Sequence, residues 1–250
     1  MKAMILAAGL GTRLRPLTND RPKALVEAGG HTLLELALLR LRSFGVSDVI
    51  INVHHYADMI VQYLKANDNF GMNLAISRED VLLDTGGGLK NASDFFLESG
   101  CVTDEPFILH NVDVLSTIDL ERMIRFHRNR KSLATLAVQG RITSRYLLFD
   151  MAGLLCGRRA GIGGVPELAR PVSNVTALAF SGIHVISTRL FEKICERGTF
   201  SIIASYLRLA SQLEKIAAFS ADEYYWRDLG KPESVAQATL DIKNGIYPCY

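Results

Sequence analysis

From Lys2 to Val138 the chain alternates short apolar or β-branched runs with longer amphipathic stretches, and that alternation leaves few folds open. Lys2–Ala8 is continuously apolar after its first residue and reads as a buried strand. Thr32–Phe44 repeats Leu and Ala at helical spacing, with Gly45 as a stop. Strands are expected again at Asp48–Val53, Asn73–Ser77, Pro106–His110 and Ser132–Val138. Helices are expected between them at Ala57–Ala66, Gly87–Phe96 and Leu120–Arg130, with Asp119 the natural cap of the last. Strands alternating with helices predict an α/β fold built on a mainly parallel sheet with helices on both faces. Ligands of such sheets sit where the chain leaves the carboxyl ends of the strands, which points to the loops after Ala8 and after His110.

From about Arg141 the pattern changes. Tyr146–Asp150, Gly153–Gly157 and Val175–Ile186 read as strands, the first two joined by a Met-Ala-Gly turn. Short helices follow at Thr188–Glu196 and Ser201–Leu209, then a strand at Lys215–Phe219 and a closing helix at Pro232–Asn244. No Pro/Ser-rich linker, low-complexity tract or repeat marks a cut. The expectation is one domain over 1–250: a nucleotide-binding core at 1–140, a substrate-facing part at 141–230 and a closing helix at 231–250.

A formal charge of +2 gives no reason to expect nucleic acid or an anionic membrane as partner, so any basic site must be local. The apolar start is too short for a signal peptide and ends in Gly9-Leu10-Gly11-Thr12-Arg13 instead of a cleavage site. No stretch approaches the length of about 20 apolar residues that spans a bilayer. Cys101, Cys156, Cys195 and Cys249 are scattered without a C-x-x-C pair, which suits a reducing cytoplasm.

The most informative segment is Leu6-Ala7-Ala8-Gly9-Leu10-Gly11-Thr12-Arg13-Leu14-Arg15-Pro16-Leu17-Thr18, followed by Arg21-Pro22-Lys23. Glycines straight after a buried strand let backbone N–H groups approach a phosphate chain. Arg13 adds a forked donor and Lys23 a mobile point charge. A dinucleotide fingerprint would need glycine where Leu14 stands, and a Walker loop would need Gly-Lys-Thr/Ser from position 14 onward. Neither fits.

The run from Leu6 to Lys23 resembles the signature of sugar-1-phosphate nucleotidyltransferases, L-A-A-G-x-G-[ST]-R-[LM]-x-P-L-T followed by P-K. The resemblance implies a Rossmann-like sheet with a sugar-binding subregion, and Mg²⁺-dependent joining of a nucleoside triphosphate to a sugar 1-phosphate. It implies that Ala8, Gly9, Gly11 and Thr12 cradle the triphosphate, that Arg13 holds the departing β- and γ-phosphates, and that Lys23 neutralises charge at the α-phosphate.

Two aspartates end β-like segments far apart, Asp113 in Asn111-Val112-Asp113 and Asp228 in Trp226-Arg227-Asp228-Leu229-Gly230. Mg²⁺ takes a few carboxylate oxygens and fills its shell with water and phosphate. By resemblance these are the metal ligands, although many relatives carry glycine where Val112 stands. Asp84-Thr85-Gly86-Gly87-Gly88-Leu89 resembles the base-reading segment, with Thr85, Gly86 and Gly87 presenting main-chain atoms to the base. Its triple glycine is most similar to the short N-acetylmuramate 1-phosphate uridylyltransferases, which implies UTP. Mannose and heptose 1-phosphate guanylyltransferases are the alternative, and a catalytically silent nucleotide-sugar sensor is an alternative of another class. Phe180-Ser181-Gly182-Ile183-His184 resembles the strand whose Ser181 and Gly182 line the sugar pocket, with Asn111 beside them. The E-K-P lysine that grips the sugar phosphate in relatives is missing, and Arg141, Arg145, Arg158, Arg159 and Arg170 are the candidate replacements. His54, His55 and His110 show no metal spacing and read as packing residues at strand ends. A monomer or weak homodimer is expected.

Overall fold

The computed structural model describes residues 1–97 and 104–248, so Cys101 and Cys249 lie outside the described residues. The first part of the chain runs β1 (Lys2–Leu6), a small hairpin of β2 (Glu27–Ala28) and β3 (His31–Thr32), then α1 (Leu33–Ser43), β4 (Asp48–Val53) and α2 (Ala57–Ala66). There follow β5 (Asn73–Arg78), α3 (Asp84–Asn91), α4 (Ser93–Phe96), β6 (Pro106–Asn111), β7 (Val114–Ser116), α5 (Leu120–Arg130) and β8 (Ala134–Gln139). The rest comprises β9 (Arg145–Phe149), β10 (Leu155–Ala160), β11 (Glu167–Leu168), β12 (Thr176–Ser187), α6 (Leu190–Lys193), α7 (Ile202–Ser211), β13 (Ile216–Ser220), β14 (Trp226–Asp228) and α8 (Pro232–Lys243).

A ten-stranded sheet organises the molecule, in the order β11-β10-β9-β12-β6-β1-β4-β5, with β8 on β12 and β13 on β8. The half that follows the strand–helix alternation, β6-β1-β4-β5, is parallel throughout. Beyond β6 the pairing is antiparallel from β12 through β9 and β10 to β11, and only β13 rejoins β8 in parallel. The α/β, Rossmann-like class therefore holds, with a mixed sheet whose parallel part carries the first loop.

Side chains alternate across that sheet as a period of two requires. Ala3 and Ile5 of β1, Val49 and Ile51 of β4 and Ile108 of β6 enter one apolar core with α1, α2, α5 and α8. Met4, Ile50, Phe107 and Leu109 enter the other, with α3, α4, α6 and α7. Continuously apolar strands are thus explained by burial on both faces. Thr32 caps α1 by accepting from the Glu35 amide at 3.1 Å, and Asp119 caps α5 by accepting from Arg122 N at 2.8 Å.

Two local expectations change. The helix expected at Gly87–Phe96 begins earlier, at Asp84, and breaks at Ala92, so Thr85 and Gly86 also lie inside α3 and not just before it. The helix expected at Thr188–Glu196 is only the single turn Leu190–Lys193.

Candidate active site

The register of the parallel strands brings Leu6, Asn52, Ser77 and Asn111 level at one edge. Just past that line, Ala7 N donates to Asn52 Oδ1 at 2.8 Å and Val112 N to Leu6 O at 3.2 Å. The loop after β1 and the turn after β6 are therefore stitched side by side. Ala8 is buried, Gly9 is exposed, and a side chain on Gly9 would meet nothing within 4 Å. Among the described residues, the amides of Gly9, Leu10 and Gly11 donate to no protein acceptor, which leaves three N–H groups open to another acceptor. Gly11 adopts φ +65°, and a methyl group there would lie 3.0 Å from Thr18 Cγ2 and 3.1 Å from Lys23 Cβ. Only glycine meets both demands easily. Thr12, Arg13 and Leu14 form a 3₁₀ turn, Thr12 and Arg13 exposed and Leu14 anchored in the core.

The strand β7 was not expected, and it is what joins the two aspartates. β14 pairs antiparallel with β7, setting Asp228 opposite Val114 and Trp226 opposite Ser116. Leu229 N donates to Asp113 O at 2.8 Å, so Asp113 and Asp228 are neighbours across this ladder, 115 positions apart in sequence. The Lys23 ammonium pairs with Asp113 Oδ2 at 2.5 Å, the lysine side chain 16% exposed and the aspartate 10%. Asp228 is exposed and accepts from Gly230 N at 2.7 Å. A methyl group on Gly230 would meet Asp228 Oδ1 at 2.6 Å and Arg13 Nη2 at 2.8 Å, which puts the Arg13 guanidinium beside the Asp228 carboxylate. The two cations that follow the open amides in the chain, Arg13 and Lys23, thus each meet one of the two aspartates. Among the described residues no three His, Cys, Asp or Glu side chains gather around one point. A hexahydrate-like Mg²⁺ needs only one or two carboxylates, and Lys23 already holds a positive charge against Asp113. The donor set fits that ion.

The sugar-side residues converge as well. Gly182 has φ +76°, and a methyl group on it would lie 2.6 Å from Val114 Cγ2 and 3.0 Å from Asn111 Nδ2. The register of β12 on β8 slips between Phe180 and His184, so Ser181-Gly182 is a bulge that brings backbone against Asn111. Ser181 is fully buried, and its carbonyl accepts from Trp226 Nε1 at 2.7 Å. Of the five candidate arginines, Arg141 lies here, its guanidinium 3.6 Å above the Trp226 ring. No pattern in the sequence singles Arg141 out, because its partner is 85 positions away.

The triple glycine is placed differently from expectation. Gly86 N and Gly87 N both donate to Phe200 O, at 2.9 and 3.2 Å, and Thr85 Oγ1 accepts from Ile202 N at 3.0 Å. A methyl group on Gly86 would strike the Phe200 ring, and one on Gly87 would lie 2.6 Å from Gly198 O. One on Gly88 would lie 2.6 Å from Glu79 Oε1. The glycines permit close approach of α3 to the 198–202 segment and to the Asn52–Glu79 hydrogen bond. The Gly86 and Gly87 amides are committed to Phe200 O, and all three glycines are buried within α3.

Of the three histidines read as packing groups, His110 is buried and His54 half-buried, but His55 is exposed and does not pack in the core. Burial pushes His110 down to about 4, and its Nδ1 donates to Asn111 O at 2.8 Å. A cavity of about 630 Å³ opens at the amino ends of β1 and β6 around Lys2, Phe107 and Phe191. It lies at the opposite end of the strands from the loop amides, and although Glu105 and Glu192 line it, ligands of such sheets sit at the carboxyl ends of the strands, so the chemistry is assigned to that edge. Among the described residues no helix is long and apolar enough to cross a membrane.

A family model described as nucleotidyl transferase matches residues 2–245. The chain is 52% identical to the N-acetylmuramate alpha-1-phosphate uridylyltransferase of Caulobacter vibrioides, covering 95% of this chain and 96% of the relative. It is 29% identical to a mannose-1-phosphate guanyltransferase of Yarrowia lipolytica, over 96% of this chain but only 63% of the length of that longer protein. In fold it is similar to HddC from Yersinia pseudotuberculosis, with a TM-score of 0.76, 23% identity, and coverage of 96% and 98% of the two chains. The family match over nearly the whole chain and the 52% identical relative, on this sheet, give one conclusion: the chain belongs to the nucleotidyl transferase family of enzymes.

Proposed function

We propose that this protein condenses UTP with N-acetylmuramate 1-phosphate, giving the UDP-sugar and pyrophosphate. The observation that supports the reading is the β7–β14 ladder, which makes Asp113 and Asp228 neighbours in the backbone, with Lys23 on the first and Arg13 beside the second. The 52% identity to a uridylyltransferase over nearly both chains supports UTP and the sugar.

The sugar phosphate is already anionic near neutral pH, so no protein base is needed. Its oxygen attacks the α-phosphorus, and the bond from that phosphorus to the β-phosphate bridging oxygen breaks. The chain's part is to hold two mutually repelling anions in line. The amides of Gly9, Leu10 and Gly11 and the turn at Thr12 take the triphosphate, Arg13 steadies the departing pyrophosphate, and Lys23 moves from Asp113 to the α-phosphate. Asp113 and Asp228 would hold Mg²⁺, which supplies charge neutralisation at the phosphates. Ser181, Gly182 and Asn111 shape the sugar side, while carbonyls around Thr85, Gly86 and Gly87 meet the uracil. Residues 1–140 serve the nucleotide, 141–230 the sugar and 231–250 close the domain, in a cytoplasmic monomer or weak dimer.

Pyrophosphate release from four nucleoside triphosphates against a panel of sugar 1-phosphates tests the reading. UTP with N-acetylmuramate 1-phosphate is expected to give the highest kcat/KM. GTP used equally well with mannose or heptose 1-phosphate would replace it by the guanylyl reaction, and no release with any pair would mean a binding protein.

A further inference from the structure

We infer that Arg141, braced on Trp226, is the cation that receives the phosphate of the sugar 1-phosphate. This rests on the reaction proposed above and fills the place of the missing E-K-P lysine.

Its location follows from the period of two in β14. Trp226 and Asp228 share one face of that strand, so a guanidinium lying 3.6 Å over the Trp226 ring is on the Asp228 side. Arg141 Nη2 donates to Phe180 O at 2.8 Å, the carbonyl that opens the Ser181-Gly182 bulge. Trp226 is held in turn by its own bond to Ser181 O. The guanidinium is therefore fixed between the bulge and the carboxylate edge, where the attacking phosphate must lie.

Its bonding is incomplete. Nε is buried without a hydrogen-bond partner, and among the described residues no carboxylate pairs with this side chain. Burial lowers the arginine's pKa, and the Asp228 charge opposes that shift. A half-buried guanidinium with one backbone acceptor is short of partners, and an anion in front of it relieves that deficit. The planar fork suits phosphate, and the indole stack keeps it oriented.

The other four arginines are occupied or farther out. Arg158 pairs with Glu167 at 2.7 Å and Arg170 with Asp150 at 2.5 Å. Arg159 donates to Gly161 O at 3.1 Å and lies over Tyr146 on β10, two strands from β12. Arg145 is exposed at the start of β9, one strand out.

Trp226 is the only tryptophan, so its emission reports on this contact alone. The experiment titrates N-acetylmuramate 1-phosphate, and separately inorganic phosphate, into wild type, Arg141→Gln, Arg141→Lys and the surface control Arg158→Gln. Turnover and UTP binding are measured in parallel. In Arg141→Gln the sugar-phosphate Kd and KM are expected to rise about tenfold or more, with UTP affinity unchanged. Arg141→Lys, which keeps charge but loses fork and stack, should fall between. Unchanged sugar-phosphate binding in Arg141→Gln overturns the assignment, as does an equal loss of UTP binding. If no sugar phosphate is turned over but phosphate binding still depends on Arg141, the anion site stands and the reaction does not.

Discussion

Asp113 and Asp228 are proposed to share a metal, yet their surroundings predict unequal losses of stability when each loses its charge. Asp113→Asn strands the Lys23 ammonium, which now pairs at 2.5 Å with side chains 16% and 10% exposed. Breaking a fully buried pair costs ~3–5 kcal/mol, but the lysine stem can carry its charge toward water, so ~1–2 kcal/mol is expected here. For a chain of this size that lowers Tm by about 4 °C. Asp228 is exposed and makes one bond that the Asn amide oxygen can reproduce, so Asp228→Asn should cost less than ~0.5 kcal/mol. Turnover should fall in both variants by about a thousandfold, the loss of several kcal/mol of charge stabilisation. Thermal unfolding followed by circular dichroism, beside initial rates of pyrophosphate release, reads the two effects separately. Wild-type turnover in either variant refutes the shared metal. A larger Tm fall in Asp228→Asn than in Asp113→Asn refutes the ion-pair reasoning.

Lys23→Gln leaves two neighbouring carboxylates without their lysine, so Mg²⁺ added without nucleotide should raise its Tm more than that of the wild type, while its turnover collapses; an equal Mg²⁺ response would show that Lys23 does not compete for Asp113. Gly87→Val drives a side chain at Gly198 O and Leu83, and should destabilise by ~2–3 kcal/mol in thermal melts instead of selectively weakening triphosphate binding. Glu196 is held at about 2, chiefly by its hydrogen bond from Arg208. A depressed carboxyl contributes stability above its unfolded value of about 4.5 and loses it as pH falls toward 2, so ~2 kcal/mol should vanish over that window in the wild type and be absent throughout in Glu196→Gln.

Which features were legible in the sequence follows from how local their causes are. Asp48–Val53, Ala57–Ala66 and Leu120–Arg130 stand where the residue pattern puts them, because burial on two faces or one writes itself into neighbouring positions. Asp119 as a cap is equally local. The triple glycine misleads, since glycine is a poor helix former and the residue pattern starts the helix only at Gly87. Its reason lies in Phe200 and Gly198, a hundred positions on, which leave no room for a side chain on α3. β7 has three residues and no periodicity to display, and it exists because Trp226–Asp228 pairs with it. The five arginines look alike in sequence, and only the stack on Trp226 separates Arg141 from the rest.

The same distinction explains how the site is built. Each half of it is a short-range motif, the glycine loop after β1 and the aspartate turn after β6, and the parallel register alone brings those two level. Ser181-Gly182 reaches the first half directly, through the pairing of β12 with β6, but the second carboxylate and Trp226 reach it only through β14. That strand is itself tied down from behind. Arg227, on its opposite face, pairs with the buried Asp241 of α8 at 2.8 Å, and Tyr225 donates to the same carboxylate at 2.5 Å. The closing helix therefore sets the height of Asp228 and Trp226 against Asp113 and Arg141. A three-residue strand has too few ladder bonds to hold such a register by itself. Asp241 supplies what the ladder lacks, which gives the closing helix a direct physical connection to the proposed metal and sugar-phosphate positions.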